Sequence, residues 1–562
     1  MHEEIFRALD AEATLVTFNQ RLARLFRRDF HARQRQLGRA VWRTPDILPL
    51  DAFLERAWRD QLWRSPNGGR VLLSDCQQQI LWEQIIRQSP AGETLLRVPE
   101  TARVACDTWR LVLAYRLPLD GRFEAGDDWS AFAAWAREFQ KRCASGRWLE
   151  RARLCDAVGS AFRTGEIPRS KELYVAGFDE ITPQQAELFA ALGELVSIEA
   201  PRHHAAVKQW KFEDAGSEIA AAAIWARGLI EQNAEIQIGV VVPDLARSRA
   251  KVERIFRQVL DPSSKFADQP ACFHVSLGAP LAEAPVIHAA LLALEFGLRG
   301  LTLPAAGTLL RSPFLGGFDS EASRRALFDV RLRRNSVWNV TVPALLDQDS
   351  GCPILQRNLA RFGKLLQPLP RVQRPSEWSR GLTKLIEAVG WPGDRALNSR
   401  EYQALEAWRE CLSTLASLDL ACRRIDFDEA LSRLREIASS KPFQVENEGA
   451  AIQVLGALEA SGLSFDHLWI TGLHDEAMPS PAAPNPFLPS SLQREYKLPH
   501  SCAGQELEFA KALMARLLAS APDVVLSYPA SEGDRVLTPS PLFAREWAPA
   551  ASEATPVEQW VG

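Results

Sequence analysis

One pattern recurs along the chain and limits what it can fold into: a short apolar run rich in β-branched residues, a turn, then an amphipathic helix. Ala13 to Thr17 (ATLVT) leads into Gln20 to Phe30, where Leu22, Leu25, Phe26 and Phe30 stand at helical spacing. Glu172 to Ala176 (ELYVA) leads through a turn into a helix with Thr182 as N-cap, Pro183 at the first position and Gln185 closing a capping box. Ile236 to Val242 (IQIGVVV) precedes Asp244, placed to cap a helix that buries Leu245, Val252, Ile255, Phe256 and Val259. Ala451 to Leu455, His467 to Thr471 and Asp523 to Tyr528 are further apolar runs. Strands that are apolar throughout cannot turn a face to water, so they predict parallel sheets covered by helices on both sides, an α/β fold.

Two stretches, roughly Asp51 to Thr164 and Leu303 to Ser440, have helical periodicity and little strand signal. Each interrupts an α/β block and is expected to be an inserted helical domain. The expected plan is a first lobe from 1–50 and 165–205 around the insertion 51–164, and a second lobe from 206–302 and 441–543 around the insertion 303–440. Residues 544–562 read as a linker. A chain of 562 residues exceeds one hydrophobic core, and 46% hydrophobic with 24% charged residues is the composition of globular protein.

The totals also exclude classes of function. With a net charge of −4 the molecule is no polycation, so any nucleic-acid contact must come from local basic surface. Nine cysteines without a C-x-x-C argue against a zinc ribbon or a redox pair and read as buried thiols of a cytoplasmic protein. The acidic start is unlike a secretory signal. Val286 to Leu301, the longest apolar stretch, is broken by His288, Glu295 and Arg299, so no membrane contact is expected.

Two α/β lobes, each interrupted by a helical stretch, is the plan of superfamily 1 helicases, and particular segments narrow the resemblance. TLVTFNQRLARLF (Thr14 to Phe26), followed by TPDILPLDAFLERAW (Thr44 to Trp58), resembles the N-terminus of the AddB/RecB-like family of DNA-repair exonucleases. ELYVAGFDEITPQQAELFAAL (Glu172 to Leu192) is similar to that family's segment where active helicases hold magnesium. GSEIAAAAIWARGLI (Gly216 to Ile230) with IGVVVPDLARSRAKVERIF (Ile238 to Phe256) resembles the opening of the second motor lobe, and LLRSPFLGG (Leu309 to Gly317) a marker inside the second insertion. GAAIQVLGALEASGLSFDHLWITGLHDEAMP (Gly449 to Pro479) resembles helicase motif V and its extension. Phe509 to Pro529 and Thr538 to Phe543 resemble a degenerate motif VI region. The resemblance implies two RecA-like lobes, a role in recombinational repair of DNA breaks, DNA as a single strand or duplex end for partner, and a helicase or nuclease partner subunit.

The departures point to a lost ATPase. A phosphate-binding loop needs glycines for its backbone N–H groups, a lysine for the phosphates and a hydroxyl for magnesium. Here Thr17 is followed by Phe18, Asn19, Gln20 and Arg21, and no G-x-x-x-x-G-K-[ST] occurs in the chain. Thr17, Asn19, Gln20, Asp179 and Glu180 are therefore assigned to a degenerate nucleotide site. Asp179 and Glu180 read as a remnant metal site or, more simply, as acids near a helix start that favour its dipole. Ser461 replaces the lysine before Gly462, and no nucleotide-sensing role is carried to Arg516. No acid pair with a lysine fits PD-(D/E)XK nuclease chemistry, so no catalytic residue, metal or cofactor is assigned, and 544–562 is expected to lead toward a C-terminal nuclease domain that the chain lacks.

The densest basic segment is Asn19 to Arg43, with Arg21, Arg24, Arg27, Arg28, Arg33, Arg35, Arg39 and Arg43 against Asp29 alone. It is either a solvated face whose stems cover apolar surface or a DNA-backbone contact, and the resemblance favours the second for Arg21, Arg24 and Arg28. Ser461 and Gly462 offer N–H groups to a DNA phosphate or form a plain turn. Arg324, Arg325, Arg331, Arg333 and Arg334 near Trp338 have the mixture found in single-strand grooves. His203 and His204 have no spaced companions. The expected function is a DNA-binding, ATPase-degenerate helicase-like module; the alternatives are an active ATP-dependent helicase/nuclease subunit and a structural subunit that binds only protein.

Overall fold

The computed structural model describes residues 2–64, 69–119, 126–168, 172–178, 180–193, 195–198, 203–262, 272–276, 278–334, 339–444, 450–543 and 547–549. Two compact units divide the chain: Met1–Ser74, Trp82–Leu277 and Asn447–Gly562 form one, and Asp75–Leu81 with Gly278–Glu446 form the other.

In the first unit the apolar runs become strands of two all-parallel sheets. The smaller sheet contains β1 (Thr14–Thr17), β2 (Asp46–Pro49), β3 (Leu173–Ala176) and β4 (Leu195–Ile198) in the order β2-β1-β3-β4, with Thr14 opposite both Asp46 and Leu173. The larger contains β5 (Ala206–Phe212), β6 (Ile238–Val241), β7 (Phe273–Val275), β8 (Ile452–Leu455), β9 (His467–Ile470), β10 (Asp523–Pro529) and β11 (Ala548–Pro549), in the order β11-β5-β10-β9-β6-β8-β7.

The helices that position the site are α1 (His2–Asp10), α2 (Gln20–Gln36), α3 (Pro183–Leu192), α4 (Ala215–Gln232), α5 (Leu245–Leu260), α6 (Ala457–Ala460) and α7 (Ala503–Leu518). Strand alternation sends Leu15 to one face of the smaller sheet and Val16 to the other. Val16 and Val175 pack against Phe53, Leu54 and Trp58 of the helix Leu50–Arg64 and against Val158 and Phe162 of the helix Leu154–Arg163. Both helices fall within the stretch 51–164 and serve as cover for this sheet. On the other face Leu15 joins Ile5 and Phe6 of α1 and Leu22, Phe26 and Phe30 of α2, in a cluster that continues into Val241, Leu455, Leu468 and Ile470 of the larger sheet and Leu513 and Met514 of α7. The opposite face of the larger sheet, with Val240, Val454 and Trp469, is covered by Ile219 and Ala222 of α4 and Val252 and Phe256 of α5.

Two local expectations need comment. Thr182 forms the capping box with Gln185 behind Pro183. Asp244 stands at the N-cap of α5 but makes no side-chain cap bond, because its backbone (φ −102°, ψ 51°) is not extended as an aspartate cap requires. In the stretch read as a linker, Trp547 packs edge-on to Tyr528 at 5.2 Å and Ala548–Pro549 adds the marginal strand β11 beside β5. The nine cysteines are free thiols, Cys272 exposed and the others buried or half-buried.

The second unit is helical. The apolar stretch beginning at Val286 is its helix Pro285–Arg299, with Ile287, Ala290, Leu291 and Leu294 in the core and Glu295 paired with Arg299 and Arg435. Among the described residues no helix is long and apolar enough to cross a membrane. Three of the arginines that precede Trp338 are held by partners within this unit. Arg325 is fully buried in an ion pair with Glu321 (2.9 Å) and donates to the carbonyl of Gly316 (2.6 Å), while Glu321 also accepts from the N–H groups of Ile354 (2.6 Å) and Leu355 (3.1 Å). Arg333 pairs with Asp329, Arg331 donates to the Ser350 carbonyl, and Trp338 lies outside the described residues. The segment LLRSPFLGG is thus explained by packing: Gly317 has φ +82°, and a Cβ on Gly316 would stand 3.1 Å from the Cα of Gly390.

Breaking a fully buried pair leaves one charge uncompensated, so Arg325→Met should destabilise the protein by about 3–5 kcal/mol. Arg324→Met, on the exposed face of the same helix, should change stability by less than about 0.5 kcal/mol. Chemical denaturation of both variants checks this, and equal effects would refute the assignment.

Candidate functional site

The segment read as a degenerate nucleotide site can be built atom by atom. Only Phe18 and Asn19 stand between the end of β1 and the start of α2. Thr17 is fully buried, and its hydroxyl donates to the carbonyl of Asn19 (2.9 Å). Asn19 is the N-cap of α2, its side chain accepting from the N–H of Leu22 at 2.8 Å. Gln20 is exposed at the first helical position. Phe18, 55% exposed, meets Phe178 edge to face at 5.8 Å. The neighbouring turn after β3 closes over the same place: Gly177 has φ +78°, and a Cβ there would stand 2.7 Å from Leu22 Cδ2. A helix N-terminus attracts anions through unpaired N–H groups. Here the protein's own cap takes one of them, and a two-residue turn cannot wrap a chain of phosphates.

Glu180 is exposed, and after burial it is the second cause that raises the pKa of Tyr115. Asp179 lies outside the described residues. The following helix α3 is closed by its own capping box, Gln185 N–H to Thr182 Oγ1 at 3.3 Å and Thr182 N–H to Gln185 Oε1 at 3.0 Å. Among the described residues no group of three His, Cys, Asp or Glu side chains is placed to hold a metal ion.

The arginines of α2 and the segment after it fall into three groups, with Arg35 exposed among them. Arg27 donates to the Ile47 carbonyl (2.5 Å), Arg33 and Arg39 approach Asp10 (3.8 and 3.2 Å), and Arg43 pairs with Glu12. These four tie α1, α2 and β2 together. Arg24 and Arg28 are exposed; Arg28 pairs with Asp29 (3.1 Å) and reaches Gln237 Oε1 (3.5 Å). Arg21 forms the third group. Its Nη1 is hidden without a hydrogen-bond partner, and burial lowers the pKa of its guanidinium, with Glu459 opposing and Arg24 adding to the shift. The three arginines expected to act together thus comprise two exposed groups and one half-buried one.

Ser461 and Gly462 form the turn after α6. Ser461 Oγ accepts from Arg516 Nε at 3.1 Å, and Gly462 has φ +85° with no atom within 4 Å of a would-be Cβ. The turn is open on its outer side, with a guanidinium beside it. His203 lies near Ser464, Nε2 to Oγ at 3.4 Å.

The structure adds a buried acid that the sequence reading passed over. In the larger sheet β6 leads through α5 to β7 on one side, while β9 leads to β10 on the other, so β6 and β9 flank a topological switch point. Just beyond their carboxyl ends, Glu218 of α4, 2% exposed, accepts from the Gly472 N–H (2.8 Å) and the Ser527 hydroxyl (2.5 Å). Burial pushes its pKa up to about 7, against the pull of those two hydrogen bonds and Lys251. Its signal was available: Glu218, Ala222 and Ala226 share one face of GSEIAAAAIWARGLI, and all three are buried.

A carboxyl whose folded pKa exceeds its unfolded value of 4.5 makes the folded state bind more protons, so its contribution to stability falls as pH rises from 4.5 to about 7. At about 1.4 kcal/mol per pH unit, the loss is on the order of 3 kcal/mol. Glu218→Gln keeps an acceptor and cannot ionise, so the difference in melting temperature between wild type and variant should widen across that window in the variant's favour. A difference independent of pH would contradict the assignment. No protein-family model matches the chain, and no curated protein matches it by sequence.

Proposed function

We propose that the chain is a helicase-like module that binds DNA without an ATPase of its own, of the kind its resemblance to the AddB/RecB-like family implies. On this reading the two parallel sheets are RecA-like lobes, and the module orients a DNA strand or duplex end for a nuclease domain or a partner subunit. The observation that carries the reading is the turn from β1 to α2: two residues, an asparagine cap and an exposed phenylalanine where an active motor needs a phosphate loop. An ATP-driven helicase is disfavoured for the same reason. Arg24 and Arg28, exposed on α2, support DNA over a purely protein partner, because guanidinium groups match phosphate oxygens.

The test uses salt. Binding of a labelled single-stranded oligonucleotide should weaken steeply with salt, and each of Arg24→Gln and Arg28→Gln should reduce the log–log slope by about one unit. Their melting temperatures should stay close to wild type. Unchanged slopes with lowered melting temperatures would mean that these side chains serve the fold.

A further inference from the structure

The carboxyl of Glu218 holds the chain at the point where it leaves β9. Trp469 Nε1 donates to Ser527 Oγ (2.7 Å), which leaves the Ser527 hydroxyl to donate to Glu218 Oε1 (2.5 Å), and the Gly472 N–H donates to that same oxygen (2.8 Å). The other oxygen, Oε2, accepts from no described group. Gly472, with φ +65°, opens a strap, residues 472–478, that carries residues 535–540 along it. The Leu473 N–H donates to the Ser527 carbonyl (2.9 Å), and the Leu473 carbonyl accepts from the Ser540 N–H (2.9 Å). The Asp475 N–H donates to the Thr538 carbonyl (3.0 Å), and the Thr538 N–H donates back to Asp475 Oδ1 (3.2 Å). Arg535 pairs with Glu476 at 2.8 Å, and Ser540 Oγ donates to the Met478 carbonyl at 2.5 Å. Gly472 and Leu473 fix the inner end of this pair to the sheet.

Little charge faces the carboxyl. β5 turns Trp210 and Phe212 to the face that α4 covers and Lys211 away from it, and β10 turns Tyr528 to the opposite face. On α4 itself, Asp214 is taken by the N–H groups of Gly216 and Ser217. On α5, Asp244 and Arg247 pair with each other (4.0 Å), and Lys251, whose Nζ would stand 3.8 Å from a Cβ on Gly216, is the cation that favours the ionised acid. On the strap, Asp475 is bonded to Thr538 and Glu476 to Arg535, while burial lowers the pKa of His474.

We propose that Glu218 is a proton-operated latch: neutral, it holds the strap 472–478 to the sheet, and its ionisation favours lifting of the strap into water. The geometry suits the neutral form, because Oε1 keeps both donors while the proton sits on Oε2. Ionisation leaves a charged oxygen buried without a donor, which is unfavourable until water reaches it. Burial pushes the closed-state pKa up to about 7, and an open strap returns it toward 4.5, so opening is favoured as pH climbs through that window and levels off above it. The latch goes beyond the DNA-binding reading and does not depend on it.

Hydrogen exchange of the full chain tests it, followed by mass spectrometry on peptides from 472–478 and, as a reference, from β9, between about pH 5.5 and about pH 8.5 with intrinsic exchange rates divided out. In wild type the strap's protection should fall by about tenfold from about pH 5.5 to about pH 7.5 and change less above that, with β9 better protected throughout. Glu218→Gln, which still accepts at Oε1 and cannot ionise, should remove the fall, and His474→Gln should keep it. Lys251→Met, at an exposed position, should carry the fall to higher pH. A fall of less than about twofold in wild type, a fall that persists in Glu218→Gln or vanishes in His474→Gln, or a strap that exchanges in step with β9 at every pH would overturn the latch. If Glu218→Gln does not fold, Lys251→Met decides: a fall at unchanged pH overturns the proposal, and a fall moved to higher pH supports it.

Discussion

The structure depends on one amphipathic helix packed between two sheets. Leu22, Phe26 and Phe30 of α2 complete the face of the smaller sheet and, in the same apolar cluster, meet Val241, Leu455 and Leu468 of the larger one. Burying three such side chains is worth several kcal/mol, and truncating any one to alanine would cost about 2–5 kcal/mol. To stand there, α2 must begin immediately after β1. The connection therefore shrinks to Phe18 and Asn19, and the helix N-terminus is closed by an asparagine cap and the turn at Gly177. Core packing and a phosphate-binding loop compete for one space, and in this chain packing occupies it.

The polar side of α2 follows from the same placement. Where the helix lies beside α1 and β2, its arginines and those just after it find acids and carbonyls and act as structural ties. Where it runs along the larger sheet, Arg28 reaches Gln237, which also accepts from Gln453 of β8. A basic run in the sequence is thus two things at once, and burial sorts them. Arg325 makes the same point in the second unit: it belongs to an arginine-rich segment, yet it is sealed inside the core.

The central strands were legible because they are apolar throughout, which only a doubly covered parallel sheet tolerates. The marginal strands were not. Leu195–Ile198 and Ala206–Phe212 carry exposed or half-exposed side chains, and the pairing of β5 with β10, more than 300 residues away in the chain, is a tertiary fact that local pattern cannot supply. Phe273–Val275 is too short to display a period. Thr182, Pro183 and Gln185 announced their helix because capping boxes are local chemistry. Asp244 misled because its residue type fits a cap while its backbone does not. Helical periodicity does not say which surface a helix covers, and within the stretch 51–164 Phe53, Leu54 and Trp58 cover the smaller sheet.

The central claim is that the N-terminus of α2 is closed to nucleotide by the protein itself. Equilibrium dialysis of the full chain against radiolabelled ATP with magnesium, with and without a single-stranded oligonucleotide, tests it directly. The expected result is no saturable binding at millimolar nucleotide in either case. Saturable, magnesium-dependent binding, together with slowed hydrogen exchange at the Leu22 amide, would mean that the cap opens for phosphate and would contradict the account.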